Sequence, residues 1–293
     1  MVPKGQSMEV GIEKVRSELM VNIYRYDPTR TTVLRNRFAT EGRKRFNELI
    51  RKIKEAFKKD GLFGFYDLFK DTESISAFVD WITTQADNYI VSNWVNKYVI
   101  DSYRRGLLRA RNELIKAGYK VPVLTMNDVN MLITSSVHKQ AIELLTNQIM
   151  SGLKNIVLQM SQQINMVITN GVLSGDSQQL LLRKILAVIT GKDAHELGIS
   201  NIIGKFVPVK KRIETLARTE TIRAHHTANI NEYENWGVQG VIVVAEWVTA
   251  HDEKVCSHCA GMEGKVFTLN QIRSMIPAHP NCRCIALPKI VNK

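Results

Sequence analysis

Apolar residues recur at every third or fourth position over most of this chain, and that spacing predicts helices. Between Arg30 and Asp60, Phe46, Leu49, Ile50, Ile53 and Phe57 fall on one helical face. Gly61-Leu62-Phe63-Gly64 interrupts the pattern. It resumes near Ser74 and runs to about Ala117, with Phe78, Trp81, Ile82, Ala86, Tyr89, Ile90, Trp94 and Tyr98 as a stripe. Aromatics at that spacing read as core rather than as a cofactor box. Gly118 and Pro122 close the element.

Thr125-Met126-Asn127-Asp128 supplies capping side chains ahead of the longest pattern. Ile142, Leu145, Ile149, Leu153, Ile156, Met160, Ile164 and Val167 follow at steps of three or four. They predict a helix of roughly forty residues ending near Gly171, about 60 Å long at 1.5 Å per residue. Such a rod must bundle with the helix before it or reach a partner, and its heptad-like steps permit oligomer contacts.

After Gly171 the texture changes. Gly175-Asp176-Ser177 can cap a short helix carrying Leu180, Leu181, Ile185 and Leu186, which ends near Gly191. A polar stretch to about Lys205 leads into a helix over Arg212 to Trp236. Val241 to Val248 is rich in β-branched residues and predicts one or two strands. The expected fold is therefore mainly α, with a small C-terminal α+β module and long N-terminal helices forming an arm or bundle. Its divisions are expected at 1–125, 126–170 and 171–293.

No run of about eighteen apolar residues occurs, which argues against a membrane partner. Met1 to Gln6 lacks the apolar run of a secretory leader. Both point to a reducing compartment, where clustered cysteines more often bind metal than form disulfides.

Charge sharpens the picture. In 293 residues, 40 Lys and Arg stand against 28 Asp and Glu, a formal charge of +12. The excess favours contact with a polyanion. Eleven basic against four acidic residues lie between Arg30 and Asp60. Arg43, Lys44, Arg45, Arg51, Lys52, Lys54, Lys58 and Lys59 are the candidate contacts to double-stranded DNA or an acidic partner. A solvated rim on a packed helix is the competing reading.

All four cysteines lie in Cys256-Ser257-His258-Cys259 and His279-Pro280-Asn281-Cys282-Arg283-Cys284. Zinc takes four N or S donors in a tetrahedron, and a Cys-x-x-Cys turn supplies two with little strain. Cys256, Cys259, His279 and Cys282 form the favoured set, with Cys284 as alternate and His258 expected to point away. Disulfides or buried free thiols remain open, and a reactive thiol is the least favoured. The chain has no glycine-rich phosphate loop, nucleophile elbow or His-Glu-x-x-His helix. Arg218, Glu220 and Arg223 form the other conspicuous run. They read first as ion pairs tying their helix to the strand unit, and second as an anion site or acid–base pair.

Ala217-Arg218-Thr219-Glu220, Trp247-Val248-Thr249-Ala250-His251-Asp252, Cys256-Ser257-His258-Cys259, Gly264-Lys265-Val266-Phe267 and Pro277 through Cys284 occur in this order. The series resembles the phage head-morphogenesis family, the minor head proteins similar to protein F of phage Mu, over about residues 165 to 288. Ala278 departs from that pattern, where a second proline is expected. The resemblance implies that 171–293 is a minor-head-protein-like module of a phage or prophage virion protein. It would be a structural component and not an enzyme. It would sit inside the capsid near the portal, after assembly in the host cytoplasm. Its partners would be the portal protein, major capsid or scaffold proteins, and packaged DNA without sequence readout. A free nucleic-acid-binding protein with a structural zinc module is the alternative. The third is an enzyme, such as an ADP-ribosyltransferase or a nuclease, with Arg218 and Glu220 as its suspects.

Overall fold

A computed structural model describes residues 27–58, 72–238 and 243–290. Lys59, the Gly61–Gly64 interruption, and Val241 and Ile242 of the expected strand lie outside the described residues. The helices are α1 Thr32–Ala56, α2 Thr72–Ile90, α3 Trp94–Lys116, α4 Met126–Leu132, α5 Ser136–Leu173, α6 Gln178–Thr190, α7 Ile199–Ile203 and α8 Val209–Val238. The C-terminal module follows as β1 Val243–Val248, α9 Ser257–Ala260, β2 Val266–Thr268, α10 Leu269–Ile272 and β3 Ile285–Ile290. The fold is mainly α with a small α+β module, as the periodicity predicts.

The long helix is 38 residues, and Ile149, Leu153, Met160, Ile164 and Val167 of its expected stripe are buried. Thr125 caps α4 instead of the long helix: its hydroxyl accepts from Asp128 N while Asp128 accepts from Thr125 N, a reciprocal capping box. Ser177 and Gly191 bound α6 as expected, the glycine in the left-handed region at φ 77° with its N–H on the Ala187 carbonyl. The expected continuous helix from Ser74 to Ala117 is two helices. Ser92 and Asn93 favour turn conformations over helix, and the Trp94 indole N–H takes the Ile90 carbonyl at 2.8 Å.

The chain divides into two compact units. One comprises the described parts of 35–98 and 143–218. Its core is built from Phe46, Leu49 and Ile53 of α1, Phe78 and Ile82 of α2, the α5 stripe, and Ile185 and Val188 of α6. Phe38 stacks on Tyr98 at 4.7 Å and meets Trp94 edge-on at 5.3 Å. Thr83 and Ser161 share a hydrogen bond of 2.7 Å across α2 and α5.

The other unit comprises the described parts of 1–34, 99–142 and 219–293. Its sheet has the order β2-β1-β3, antiparallel throughout, with Ala245 opposite Phe267 on one side and Pro288 on the other. Alternation along β1 turns Ala245 and Trp247 into a core with Leu114, Ile222, Ile230 and Tyr233, while Glu246 pairs with Lys289 on the opposite face. The sequence predicts strands only at 241–248, so β2 and β3 are additions that the structure reveals. Pro288 removes a ladder donor and hides β3, yet an edge strand tolerates it.

Helices α3 and α8 approach closely at Gly106. A Cβ there would meet the His225 carbonyl oxygen and lie 2.6 Å from the Ala228 Cβ. Backbone cannot yield to it as a flexible side chain would, so Gly106→Ala should cost about 1–3 kcal/mol as overpacking. A thermal melt should show the loss; an unchanged midpoint would mean that the two helices separate freely.

Candidate metal centre

Cys256 is the N-cap of the one-turn helix α9. Its sulfur accepts from the Cys259 N–H at 3.4 Å, so the Cys-x-x-Cys turn brings both sulfurs to one side. His258, between them, is exposed. The second half of the cluster comes from the segment ahead of β3. Cys282 N–H bonds the His279 carbonyl at 3.1 Å, closing a turn in which Asn281 takes φ 62°. Asparagine adopts this left-handed conformation more readily than most residues.

His279 Nε2 lies 3.3 Å from the Cys256 sulfur and 3.2 Å from the Cys259 sulfur, while Nδ1 lies 2.9 Å from the Pro280 carbonyl. That carbonyl can only accept, so Nδ1 carries the proton and Nε2 is left to face the thiols. Two donor groups result, Cys256–Cys259–His279 and Cys259–Cys282–Cys284, and within each the donor atoms lie within 4.8 Å of one another. Cys259 belongs to both. Donors of a tetrahedral zinc site are about 3.5–3.8 Å apart, given metal–ligand bonds of 2.0–2.3 Å. The cluster is therefore of a size to hold a metal ion, and thiols with an imidazole are soft donors.

All four cysteines are free thiols. The Cys259 N–H lowers the Cys256 pKa. The hydrogen bond from Cys284 brings Cys282 down to about 5, and the same bond holds the proton on Cys284 and raises it. Burial pushes Cys259 up to about 12. Each half thus has one cysteine whose thiolate is favoured, and between the last two cysteines the charge settles on Cys282.

The loops carrying the thiols are tied down by residues of other motifs. Arg283 forks onto Asp252 through bonds of 2.5 and 2.6 Å. The Thr219 hydroxyl accepts from Asn281 N at 3.0 Å, joining α8 to the His279–Cys282 turn. Glu263 accepts the Thr249 N–H at 2.7 Å and lies 3.5 Å from His251 Nε2. Gly264, at φ 73°, donates to the Trp247 carbonyl at 2.9 Å. Spacing alone gave no sign of the Thr219 tie, although Thr219 stands inside the Arg218–Glu220 run.

Arg218, Glu220 and Arg223 make their ion pairs along α8: Glu220 with Arg223 at 3.0 Å, Arg218 with Glu214 at 3.9 Å. Burial raises the Glu220 pKa. Of the basic residues on α1, Arg43 pairs with Glu214 at 2.6 Å. Arg45 bonds Glu41 and the Tyr89 carbonyl and lies over the Trp94 ring. Arg51 is held by Glu48 and Glu55. Lys52 lies 5.2 Å from the Tyr89 ring centre. Lys44, Lys54 and Lys58 are exposed. Much of the basic character legible in the sequence is thus matched inside its own unit.

With this geometry in place, comparison with known proteins identifies the segment. Residues 162–287 match the family model for phage Mu protein F like proteins. This segment is similar to the phage Mu protein F like proteins. Its bounds lie within a few residues of the expected resemblance. No curated protein and no solved structure matches the chain. Among the described residues, no helix is long and apolar enough to cross a membrane.

Two further histidines of the matched segment are buried on α8. His226 Nε2–H donates to the Ile272 carbonyl at 3.0 Å, a second tie from α8 into the module. Burial pushes His225 down to about 3 and His226 down to about 4. Both stay neutral when folded, whereas unfolding lets them take up protons below about 6.5. Stability from these groups is complete above that pH and is lost as pH falls toward 4. The slope should be about 1.4 kcal/mol per pH unit for each histidine. Denaturant melts from pH 7 to 4.5 should show it, and replacing both with Gln should flatten the dependence. A wild-type curve already flat over that range would contradict the burial of neutral imidazoles.

Proposed function

We propose that this protein is a structural minor head protein of a tailed phage or prophage, bound at the portal vertex on the inner side of the capsid. The supporting observation is the Mu F-like match over a segment whose motif residues are spent on holding a small rigid module. Trp247 fills its core, Thr219 and His226 fasten it to α8, and Asp252 fixes the Cys282–Cys284 loop through Arg283. In this reading the chain has no enzymatic role. Glu220 and Arg223 serve as a half-buried structural pair.

The cluster would hold one structural zinc through Cys256, Cys259 and His279 Nε2, which form one donor group, with Cys282, grouped with Cys259 and Cys284, as the fourth donor and the Cys284 thiol supporting it. Zinc bound this way closes its coordination with protein donors and contributes to stability, leaving no position for a reacting water. DNA at the portal vertex would meet Lys44 and Lys54 of α1 and Lys58 just beyond it, all three exposed. Such contacts neutralise phosphates without reading bases. Portal protein, with major capsid or scaffold protein around it, is the partner during assembly in the host cytoplasm and afterwards in the virion.

Purified full-length protein should co-sediment with portal oligomers. Salt-sensitive DNA binding with no portal association would favour a free nucleic-acid-binding protein instead. Loss of a measurable activity in a folded Glu220→Gln variant would return the enzyme reading. Elemental analysis of protein purified under reducing conditions should find about one zinc per chain. Four titratable thiols with no zinc would remove the metal from this account.

A further inference from the structure

The helix α5 carries a second stripe, facing away from the one that fills the core. Leu144 is 70 % exposed, Leu158 55 %, Met166 47 % and Leu173 83 %. With Ser151 between the first two, they recur at steps of seven or eight residues, two turns of helix each. Asn147, Gln148, Asn155, Gln162 and Asn165 stand exposed around them. From Leu144 to Leu173 the one charged residue is Lys154, in a chain where 23% of residues are charged. Arg212 of α8 donates to Gln159 and Gln163 at 2.7 Å each, so its guanidinium is engaged at the margin of this face.

We propose that this face pairs with the same face of a second copy of the chain. The helices would run antiparallel about a two-fold axis between Leu158 and Gln159. An isologous interface needs a patch that complements itself under such an axis, and the order of residues here does so. Positions equidistant from the axis face each other. Leu144 meets Leu173 of the second copy at both ends, Ser151 meets Met166, and the two Leu158 side chains pack at the centre. Small thus opposes large between the ends, and apolar opposes apolar at the ends. Lys154 falls opposite Gln163 of the second copy, whose side chain is already bonded to Arg212. The stripe is about 44 Å long.

Charge selects this occupant over others. DNA gains little from a face whose cations are Lys154 and an Arg212 already bonded to two glutamines, and an acidic surface gains little more. Two chains of +12 repel through most of their surfaces, and a neutral face is where they can approach. The pairing goes beyond the portal reading and is independent of it.

Sedimentation velocity on the full chain at micromolar concentration should give the mass of a dimer. Leu158→Asp would oppose two carboxylates at the axis and should weaken dimerisation about 100-fold or more. Because Leu158 is more than half exposed, the melting temperature should not change at concentrations low enough to keep both proteins monomeric. Ser151→Glu and Met166→Lys should each weaken the dimer alone. Together they should restore it, since the new charges face one another only in the antiparallel register. A monomer at every concentration overturns the proposal, as does a dimer indifferent to Leu158→Asp. So does a double variant no better than either single one. A Leu158→Asp chain of unchanged mass that no longer sediments with portal would assign the face to the portal instead.

Discussion

Asp252 and Arg283 join two loops of the C-terminal module that lie thirty residues apart in sequence, and the Asp252 side chain is 2% exposed. The bidentate fork fixes the plane of the guanidinium as well as its distance. Asp252 also accepts the Lys254 N–H at 3.0 Å, so its own loop is set by the same carboxylate. Arg283 stands between Cys282 and Cys284. Wherever the fork holds Arg283, both sulfurs follow. The pair holds the Asp252 pKa below the usual carboxylate range. Its value is positional more than energetic: forming such a pair yields little net stability, yet removing one partner costs about 3–5 kcal/mol.

A three-stranded sheet with a three-residue edge strand cannot carry this geometry unaided. The module compensates by packing Trp247, with no exposed surface, against Ile230 and Tyr233 of α8. Burying a large aromatic contributes about 3 kcal/mol or more at ordinary transfer values. Polar ties then fix register where apolar packing alone would permit sliding. Thr219 reaches the Asn281 backbone, His226 reaches the Ile272 carbonyl, and Tyr233 donates to the Ala286 carbonyl at 3.3 Å. The three side chains stand on successive stretches of one helix. α8 thus acts as the spine on which the module is mounted.

Elements with strong local signals were legible in the sequence. The 38-residue helix, the Ser177 and Gly191 boundaries of α6 and the cysteine spacing each follow from nearby residues. What was hidden depends on partners far along the chain. Arg43 reads as a free cation until Glu214, 171 positions away, is placed beside it. β3 lacks alternation and contains Pro288, so only its pairing with β1 makes it a strand. The helix break before Trp94 is local, but Ser92-Asn93 is a weak signal inside a strong apolar stripe. For the candidate site, residue types and spacing were visible. Which nitrogen of His279 faces the thiols was not, since that depends on the Pro280 carbonyl.

The ties around the cluster bear on what a metal would contribute. In small zinc modules the apo chain is unfolded, because the metal is the main cross-link. Here Asn281 and Arg283, the residues flanking Cys282, are already held by Thr219 and Asp252, and Cys256 is fixed as the cap of α9. The ring of His279 is oriented by its own Nδ1 bond. Each donor is thus placed by a bond that does not involve a metal. An ion at this site would add a cross-link between two preformed turns, and the surrounding fold would owe its shape to α8, Trp247 and the Asp252–Arg283 fork.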